Sequence, residues 1–264
     1  MAKKRKSKSK KNFLKRIIVL LGKIVVGLII FSLLLTILYR WVNPPITPLM
    51  IIRKVTNDAP IDKKWVDIDE ISPYFINYAV AAEDNNFLAH KGFDFGAIQK
   101  VLDDREHGKT SRGASTISQQ TAKNVFLWPK RSWLRKGCEV YFTFLIETFW
   151  SKERIMEVYL NVIEMGNGIY GCEAASQYYF NKDAQSVSRR EASLITAAYP
   201  NPLDRNPGAP TGYLLNRAAR IRHISLKVGK IKFDEESIEA AEERYKKREE
   251  KRKEKNDGKV IDLF

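Results

Sequence analysis

The chain opens with a long apolar run, and after it the apolar positions recur at the spacing of helices. Over residues 17–39, IIVLLGKIVVGLIIFSLLLTILY, Lys23 is the only charged residue. A helix rises about 1.5 Å per residue, so a helix of this length spans the hydrocarbon core of a bilayer. We predict a retained transmembrane helix rather than a cleaved signal peptide, because no small-residue cleavage site follows the run.

Polar cap residues followed by apolar positions at helical spacing dominate residues 65–230. Ser72 before a proline predicts one helix start, Ser151 predicts another, and Ser188 with Glu191 forms a capping box. Little of this region reads as strand, so we predict a mainly α fold.

Changes in composition divide the chain into segments. Prolines within residues 42–60 indicate a linker next to the membrane, whereas Glu, Lys and Arg dominate the end of the chain. That end is predicted to be a solvated helix or a disordered tail without a catalytic role. The predicted segments are a basic cytoplasmic tail (1–16), the transmembrane helix (17–39), a juxtamembrane linker (40–64), the main helical domain (65–230) and a charged C-terminal tail (231–264).

The distribution of charge predicts how the chain is oriented in the membrane. The net charge is +15, and residues 1–16 contain nine Lys and Arg residues but no acid, which leaves +6 for the rest. Basic segments next to a transmembrane helix stay in the cytoplasm. We therefore predict a single-pass protein of the cytoplasmic (inner) membrane with everything after residue 40 outside. This placement argues against nucleic-acid binding and ATP-driven chemistry.

Cysteine and histidine usage limits the metal chemistry that the chain can support. Two cysteines and three histidines cannot build a Cys-rich zinc site or a His-rich centre. Gly166-Asn-Gly-Ile-Tyr-Gly171 matches a dinucleotide-binding pattern, but it follows a helical segment, and no βαβ unit surrounds it. Metal ligands therefore stay unassigned, and we expect no organic cofactor.

The first polar cluster follows the helix that begins at Ser72. Glu83 continues the buried face of that helix, and we expect it to be partly removed from water, which suits a general base. A structural salt bridge or an acidic helix end is the alternative. The cluster comprises Glu83, Asp84, Asn85, Asn86, Phe87 and His90.

The second cluster combines hydroxyl, amide and ammonium groups. Ser115 is predicted to be a helix N-cap, which places Ser115, Gln119 and Lys123 on one helical face at i, i+4 spacing. Such a face suits a polyhydroxyl or phosphate ligand, and an exposed polar face is the alternative. The cluster comprises Gly113, Ser115, Thr116, Gln119, Gln120, Lys123 and Asn124.

The third cluster is cationic and contains one acid. Ser132 is predicted to cap a helix on which Arg135, Lys136 and Glu139 share one side, and Arg131 precedes it. An ordinary ion pair on a helix surface is the alternative.

These clusters and a fourth block resemble the signature sequences of the family 51 glycosyltransferases, which polymerise peptidoglycan. The blocks are, in order, EDNNFLAHKGFD, RGASTISQQTAKNVFL, RKGCE and SKERIMEVYLN, and the resemblance covers roughly residues 60–215. Ala114 departs from the pattern, since many members have a second glycine there. The short chain is most similar to monofunctional members, so no peptide cross-linking is expected.

The resemblance implies a lysozyme-like helical glycosyltransferase domain whose substrates are lipid II and the growing glycan strand. It assigns the general base to Glu83 and a second acid role to Glu139. Divalent Mg or Mn, the membrane, and other cell-wall synthesis or division proteins are further implied partners. The implied substrate-binding residues are Asp84, Phe87, His90, Gly113, Ser115, Thr116, Gln119, Gln120, Lys123, Asn124, Arg131, Arg135 and Lys136.

Two other functions stay open at the level of sequence. A lysozyme-like hydrolase would share the fold, but its leaving sugar alkoxide needs a protonated acid and gains nothing from four cations. An inactive membrane-anchored scaffold would recruit cell-wall enzymes through residues 235–264, and it predicts that their deletion matters while Glu83→Gln is harmless.

Overall fold

The computed structural model describes residues 2–109 and 113–261. They form two units, one ending at Val42 and the other beginning at Asn43. The first unit contains helix α1 (Ala2–Leu38), in which Lys15–Leu38 is long and apolar enough to cross a membrane and is not buried within the protein. This stretch contains nearly all of the predicted span, and it fits a membrane anchor.

The second unit is built mainly from helices, which confirms the predicted mainly α fold. A 3₁₀ turn at Ile68–Glu70 and three short strands complete it. The helices are α2 (Pro48–Asn57), α3 (Pro73–Glu83), α4 (Phe95–Glu106), α5 (Ile117–Phe126), α6 (Trp133–Phe149), α7 (Lys152–Val162), α8 (Cys172–Phe180), α9 (Arg189–Ala198), α10 (Gly212–Val228) and α11 (Glu235–Ile261).

Side-chain caps begin most of these helices, and four of the caps were predicted. Ser72, Ser132 and Ser151 cap α3, α6 and α7, and the capping box of Ser188 starts α9. The predicted cap of α5 was wrong by one residue, because Thr116 rather than Ser115 accepts the hydrogen bond from the N3 amide.

The strands form a small sheet in the order β1-β3-β2. Strand β1 (Asp62–Lys63) pairs parallel with β3 (Ile169–Tyr170), and β2 (Glu164–Gly166) pairs antiparallel with β3. The turn between β2 and β3 needs Gly168, because its φ is +72° and a Cβ there would collide with the carbonyl oxygen of Pro60. The Gly-rich motif therefore forms a hairpin and not a phosphate loop.

The core sits where six helices meet. Helix α5 packs against α6 and α7, while α3 packs against α9 and α10. Phe75, Tyr159 and Ile195 are fully buried there. This packing brings the C-terminal end of α3 beside α5, which places the first two polar clusters together.

The segment predicted as a linker contains regular structure. Thr47 caps α2, and Pro48 occupies its first turn, so a start signal was present among the prolines. Leu49 and Met50 of α2 are buried in a cluster with Tyr170. The chain between residues 48 and 63 is therefore part of the folded unit.

Candidate active site

Glu83 is the last residue of α3, and its carboxylate is held from two sides. Oε2 accepts a hydrogen bond from Gln120 Nε2 at 3.0 Å, and Oε1 lies 3.7 Å from Arg217 Nη2. The Glu83 side chain is 16% exposed, so the expected partial removal from water is present. A carboxylate that is fixed in place and still reachable suits proton abstraction.

Asp84 ties the end of α3 to the start of α5. Its buried carboxylate accepts hydrogen bonds from His90 Nε2 at 3.0 Å and from the Ile117 amide at 3.0 Å. The Gly92 amide donates to His90 Nδ1 at 3.2 Å, which places the ring proton on Nε2. Asp84 and His90 therefore position the two helices that carry Glu83 and Gln120.

The cap of α5 uses two of the predicted substrate-binding residues. Thr116 Oγ1 donates to the Gly92 carbonyl at 2.7 Å, and the Thr116 amide donates to Gln119 Oε1 at 3.0 Å. The predicted face of Ser115, Gln119 and Lys123 was wrong, because Ser115 precedes the helix and the Gln119 side chain folds back onto the cap.

Gln120 links Glu83 to the core. Its Nε2 donates to Glu83, and its Oε1 accepts a hydrogen bond from Tyr159 Oη at 3.3 Å. Burial, with Glu83 nearby, raises the pKa of Tyr159 well above its ordinary value, so the phenol stays protonated and donates. The amide of Gln120 thereby presents its NH₂ group to the carboxylate.

A cationic group lies beside α5 on the first two turns of α6. Arg135 Nη1 and Lys136 Nζ bond Glu139 at 2.6 Å and 2.5 Å, and Glu139 is buried. Arg135 Nε is also buried, and within the described part of the chain it has no hydrogen-bond partner.

Lys123 connects the acid of α3 with this cationic group. Burial lowers the pKa of the Lys123 ammonium, and Glu139, Arg135, Glu83 and Lys136 all lie near enough to act on it. Among the residues described by the structure, none forms a hydrogen bond with Lys123 Nζ. Lys123 and the two cations of α6, together with Arg217, lie near the carboxylates of Glu83 and Glu139. Four positive charges thus accompany two negative ones, which leaves two positive charges for a ligand.

A pocket of about 250 Å³ opens along α5 next to this cluster. Asn124, whose Nδ2 donates to the Gln120 carbonyl at 2.9 Å, contributes to its wall. The pocket is lined by Leu49, Arg53, Gln120, Lys123, Asn124, Leu127, Trp128, Pro129, Tyr159, Ile163, Glu164, Tyr199, Pro200 and Pro202. Polar groups from α5 thus face a space that can receive a ligand.

Comparison with known proteins identifies the family. The sequence model of a family described as Transglycosylase matches residues 50–225. The chain belongs to the transglycosylase family. Three relatives carry the name "Biosynthetic peptidoglycan transglycosylase".

The relatives match this transglycosylase over most of their length. The protein from Bacteroides thetaiotaomicron is 50% identical over 82% of this chain and 90% of its own. The Bdellovibrio bacteriovorus protein is 47% identical over 83% and 94%, and the Caulobacter vibrioides protein is 51% identical over 70% and 80%. The chain is therefore an enzyme, and its predicted family is confirmed.

The transglycosylase site gathers most, but not all, of the predicted residues. Phe87 is fully buried and packs against the Lys152 ammonium, 4.8 Å from the ring centre, so it supports the site from behind. Gly113, Ser115 and Arg131 are exposed on the segments before α5 and α6. The residues brought together around Lys123 are Glu83, Gln120, Asn124, Arg135, Lys136 and Glu139.

Arg217 is a site residue that sequence reasoning missed. Its Nη2 approaches Glu83, and its Nε donates to the Ala197 carbonyl at 3.1 Å. It lies on α10, outside the four sequence blocks, and no local pattern distinguishes it from other arginines. Arg53 was also missed, and it lines the pocket while its Nη2 bonds Glu164 at 3.2 Å.

The described residues do not fit a resident metal ion. Across residues 2–109 and 113–261, no group of three or more His, Cys, Asp and Glu side chains could hold one. Asp84 is already used by His90 and Ile117. We therefore assign no ligand to the divalent cation that the resemblance implies, and no chemical step is derived through it.

Proposed function

We propose that this transglycosylase polymerises lipid II outside the cytoplasmic membrane. The growing glycan, linked to a polyprenol through pyrophosphate, is the donor, and the 4-hydroxyl of the GlcNAc of lipid II is the acceptor. Attack on the anomeric carbon of the donor inverts its configuration and releases polyprenyl diphosphate. The observation that carries the proposal is the position of Lys123 between the carboxylate of Glu83 and the cationic group of α6.

Glu83 is proposed to act as the general base. Its carboxylate takes the proton of the acceptor hydroxyl while that oxygen forms the new bond to the anomeric carbon. Gln120 and Arg217 hold the carboxylate from either side, so its direction is set before substrate arrives. Restraint of this kind lowers the barrier by orienting the reacting groups.

Lys123, Arg135 and Lys136 are proposed to bind the departing diphosphate. As the anomeric C–O bond breaks, its electron pair moves onto the pyrophosphate oxygen, where negative charge accumulates. Lys123 Nζ has no hydrogen-bond partner in the described part of the chain, so it can donate to that oxygen or its neighbours, while Arg135 and Lys136 add positive charge beside it. Glu139 keeps Arg135 and Lys136 in place.

The excess of positive charge also argues against glycan hydrolysis. A hydrolase must protonate a sugar alkoxide with a neutral carboxylic acid. Here Glu139 is buried, and its two carboxylate oxygens are bonded to Arg135 and Lys136 rather than presented to a leaving sugar. Diphosphate needs no proton to depart, so the arrangement supports polymerisation rather than cleavage.

The membrane orientation is also proposed here. The apolar stretch of α1 anchors the chain, and the basic residues before it hold the N-terminus in the cytoplasm. The catalytic unit then lies on the outer side, where lipid II presents its sugars. Residues 42–70 are proposed to contact the outer leaflet, because the substrate's lipid keeps the reacting sugars close to it.

The direct test supplies the purified protein with two substrates in separate reactions, lipid II and finished glycan strands. We expect lipid II to be consumed, with polymer and polyprenyl diphosphate appearing together, and the finished strands to stay intact. Cleavage of finished strands with lipid II untouched would establish a hydrolase. Consumption of neither substrate would favour the inactive scaffold.

A further inference from the structure

The C-terminal helix α11 packs beside the turn that follows Glu83. We name residues 84–94, between α3 and α4, the α3–α4 turn. Tyr245 Oη donates to Asp94 Oδ1 at 2.9 Å and accepts a hydrogen bond from the Gly96 amide at 3.1 Å. Asp94 is the N-cap of α4 and is 5% exposed, so these bonds lie at a buried helix start.

Two arginines of α11 extend the contact on either side of Tyr245. Arg248 Nη2 donates to Asn86 Oδ1 at 2.6 Å, and Arg252 Nη1 donates to the Gly96 carbonyl at 2.6 Å. Arg252 Nη2 also bonds Asp103 Oδ2 at 3.1 Å. The first turn of α4, Asp103 further along α4, and Asn86 in the α3–α4 turn are thereby bonded to one helix.

Helix α11 also lies against Gly96 through the side chain of Glu249. A Cβ at Gly96 would lie 2.5 Å from Glu249 Oε1, so a larger residue there would require the Glu249 carboxylate to rotate away. Before α11 begins, the Ile231 amide donates to Asn77 Oδ1 of α3 at 3.0 Å. The C-terminal segment therefore touches the chain on both sides of Glu83, at Asn77 and at Asn86.

Hydrogen bonds inside the α3–α4 turn link these contacts to the active site. Asn86 Nδ2 donates to Asp94 Oδ2 at 2.6 Å, so the residues that α11 holds also hold each other. The Phe87 amide donates to the Asp84 carbonyl at 3.1 Å. Asp84 in turn fixes the start of α5 through Ile117. A movement of Asn86 would therefore reach Asp84, which follows Glu83, and the start of α5, whose Gln120 bonds Glu83.

We propose that α11 positions the general base, with Tyr245 as its main positioning residue and Arg248 as a second. The family's sequence model matches this chain as far as residue 225, and α11 begins after that point. The contacts that α11 makes with α4 and the α3–α4 turn therefore come from outside the matched region. The inference rests on the proposed function, because it concerns how Glu83 is placed for that reaction. It replaces the sequence-based expectation that residues 235–256 have no catalytic role.

The test compares Tyr245→Phe with Tyr178→Phe. The first change removes a hydroxyl that joins Asp94 to Gly96, whereas Tyr178 is exposed on α8 and its hydroxyl has no hydrogen bond in the described part of the chain. For Tyr245→Phe we expect kcat on lipid II to fall about fivefold, which corresponds to the loss of one hydrogen bond. We expect KM to stay within about twofold of the wild-type value. Tyr178→Phe is expected to match wild type.

Arg248→Ala and Arg244→Ala provide a second matched pair on α11 itself. Both side chains are exposed, but only Arg248 reaches Asn86. Arg248→Ala is expected to lower kcat by about threefold, a value near the upper end for an exposed contact. Equal kcat for the two arginine variants, together with an unchanged kcat for Tyr245→Phe, would overturn the proposal.

Hydrogen exchange gives a readout that does not depend on activity. In Tyr245→Phe, peptides covering the α3–α4 turn and Gly96 are expected to exchange faster, while the rest of the domain exchanges as in wild type. A uniform rise across the domain, or a change in KM instead of kcat, would show a general stabilising role and contradict positioning. If wild type makes no polymer, the proposed function fails, whereas unchanged exchange at the turn refutes only this inference.

Discussion

Lys123 is the residue on which the chemistry of the site depends most. It lies on α5 between a proposed base and a cationic group, and burial makes its charge costly before substrate arrives. A ligand with two or three negative oxygens relieves that cost and supplies the missing hydrogen bonds. A half-buried cation without a hydrogen-bonding partner in the described part of the chain is therefore better explained by binding than by stability.

The lowered pKa of Lys123 predicts how activity depends on pH. Its ammonium loses the proton at a lower pH than an exposed lysine, whose ordinary value is 10.5, and the site then loses one positive charge. We expect kcat/KM for lipid II to decline on the alkaline side before pH 10.5 is reached, because this ratio reports groups of the free enzyme. The measurement is kcat/KM between pH 7 and 10.5.

Lys123→Arg is the matched control, since arginine keeps its charge throughout this range. In the Lys123→Arg variant the alkaline decline of kcat/KM should disappear, whatever activity the variant has at pH 7. An unchanged alkaline decline in Lys123→Arg would assign the titration to another group.

At the scale of elements, the start of α5 is the joint that brings together the first polar cluster, which contains Glu83, and the second, which contains Gln120. Thr116 and Gln119 close its first turn, Thr116 also bonds Gly92, and Asp84 accepts the Ile117 amide. One helix start is thereby attached to the end of α3 and to the segment before α4. This joint fixes the orientation of α5, and thereby the positions of Gln120 and Lys123 on it.

Removing the cap should therefore destabilise the fold and the site together. Thr116→Ala loses both the cap and the bond to Gly92, and we expect the free energy of unfolding to fall by about 1–2 kcal/mol. Thr116→Ser keeps the hydroxyl and serves as the control. Thermal unfolding in detergent should show Tm lower by roughly 3–6 °C for Ala, with Ser close to wild type. Equal Tm values would mean that this hydroxyl is not part of the joint.

Helices with a strong start signal could be predicted from sequence, but competing signals were ranked wrongly. Ser115 and Thr116 are adjacent and both suit an N-cap. Thr116 alone has a glutamine three residues later, with which it forms a capping box, and the Gly92 carbonyl adds a contact from another segment. The prolines before α2 suggested a linker, yet Thr47 and Pro48 begin a helix that buries Met50. Tertiary contacts decided the second case and supported the first.

Contacts between distant parts of the chain were the least predictable features of the site. The blocks containing Glu83, Lys123 and Arg135 were found because each has a local pattern. Arg217 and Tyr245 have none, since their partners lie far away in sequence and are joined to them only by folding. Sequence reasoning thus proposed the reacting groups and some of the residues that hold them, but it missed Arg217 and Tyr245.

At the scale of the whole molecule, a membrane anchor and a folded catalytic unit follow one another along the chain. We predict that a reporter active only outside the cytoplasm is active when fused after residue 42 and inactive when fused after residue 16. The positive-inside rule is the reason, because residues 1–16 contain nine basic residues. The reverse pattern of reporter activity would place the catalytic unit in the cytoplasm and exclude lipid II on the outer leaflet as its substrate.

The central claim is that the Glu83 carboxylate removes the proton of the acceptor sugar. The most direct measurement is the rate of polymer formation from lipid II by wild type, Glu83→Gln and the exposed control Glu153→Gln. We predict that Glu83→Gln loses activity by about 10²–10⁴-fold, the usual contribution of a general base, with Tm unchanged and Glu153→Gln fully active. Polymer formation by Glu83→Gln at a rate close to wild type would contradict the mechanism.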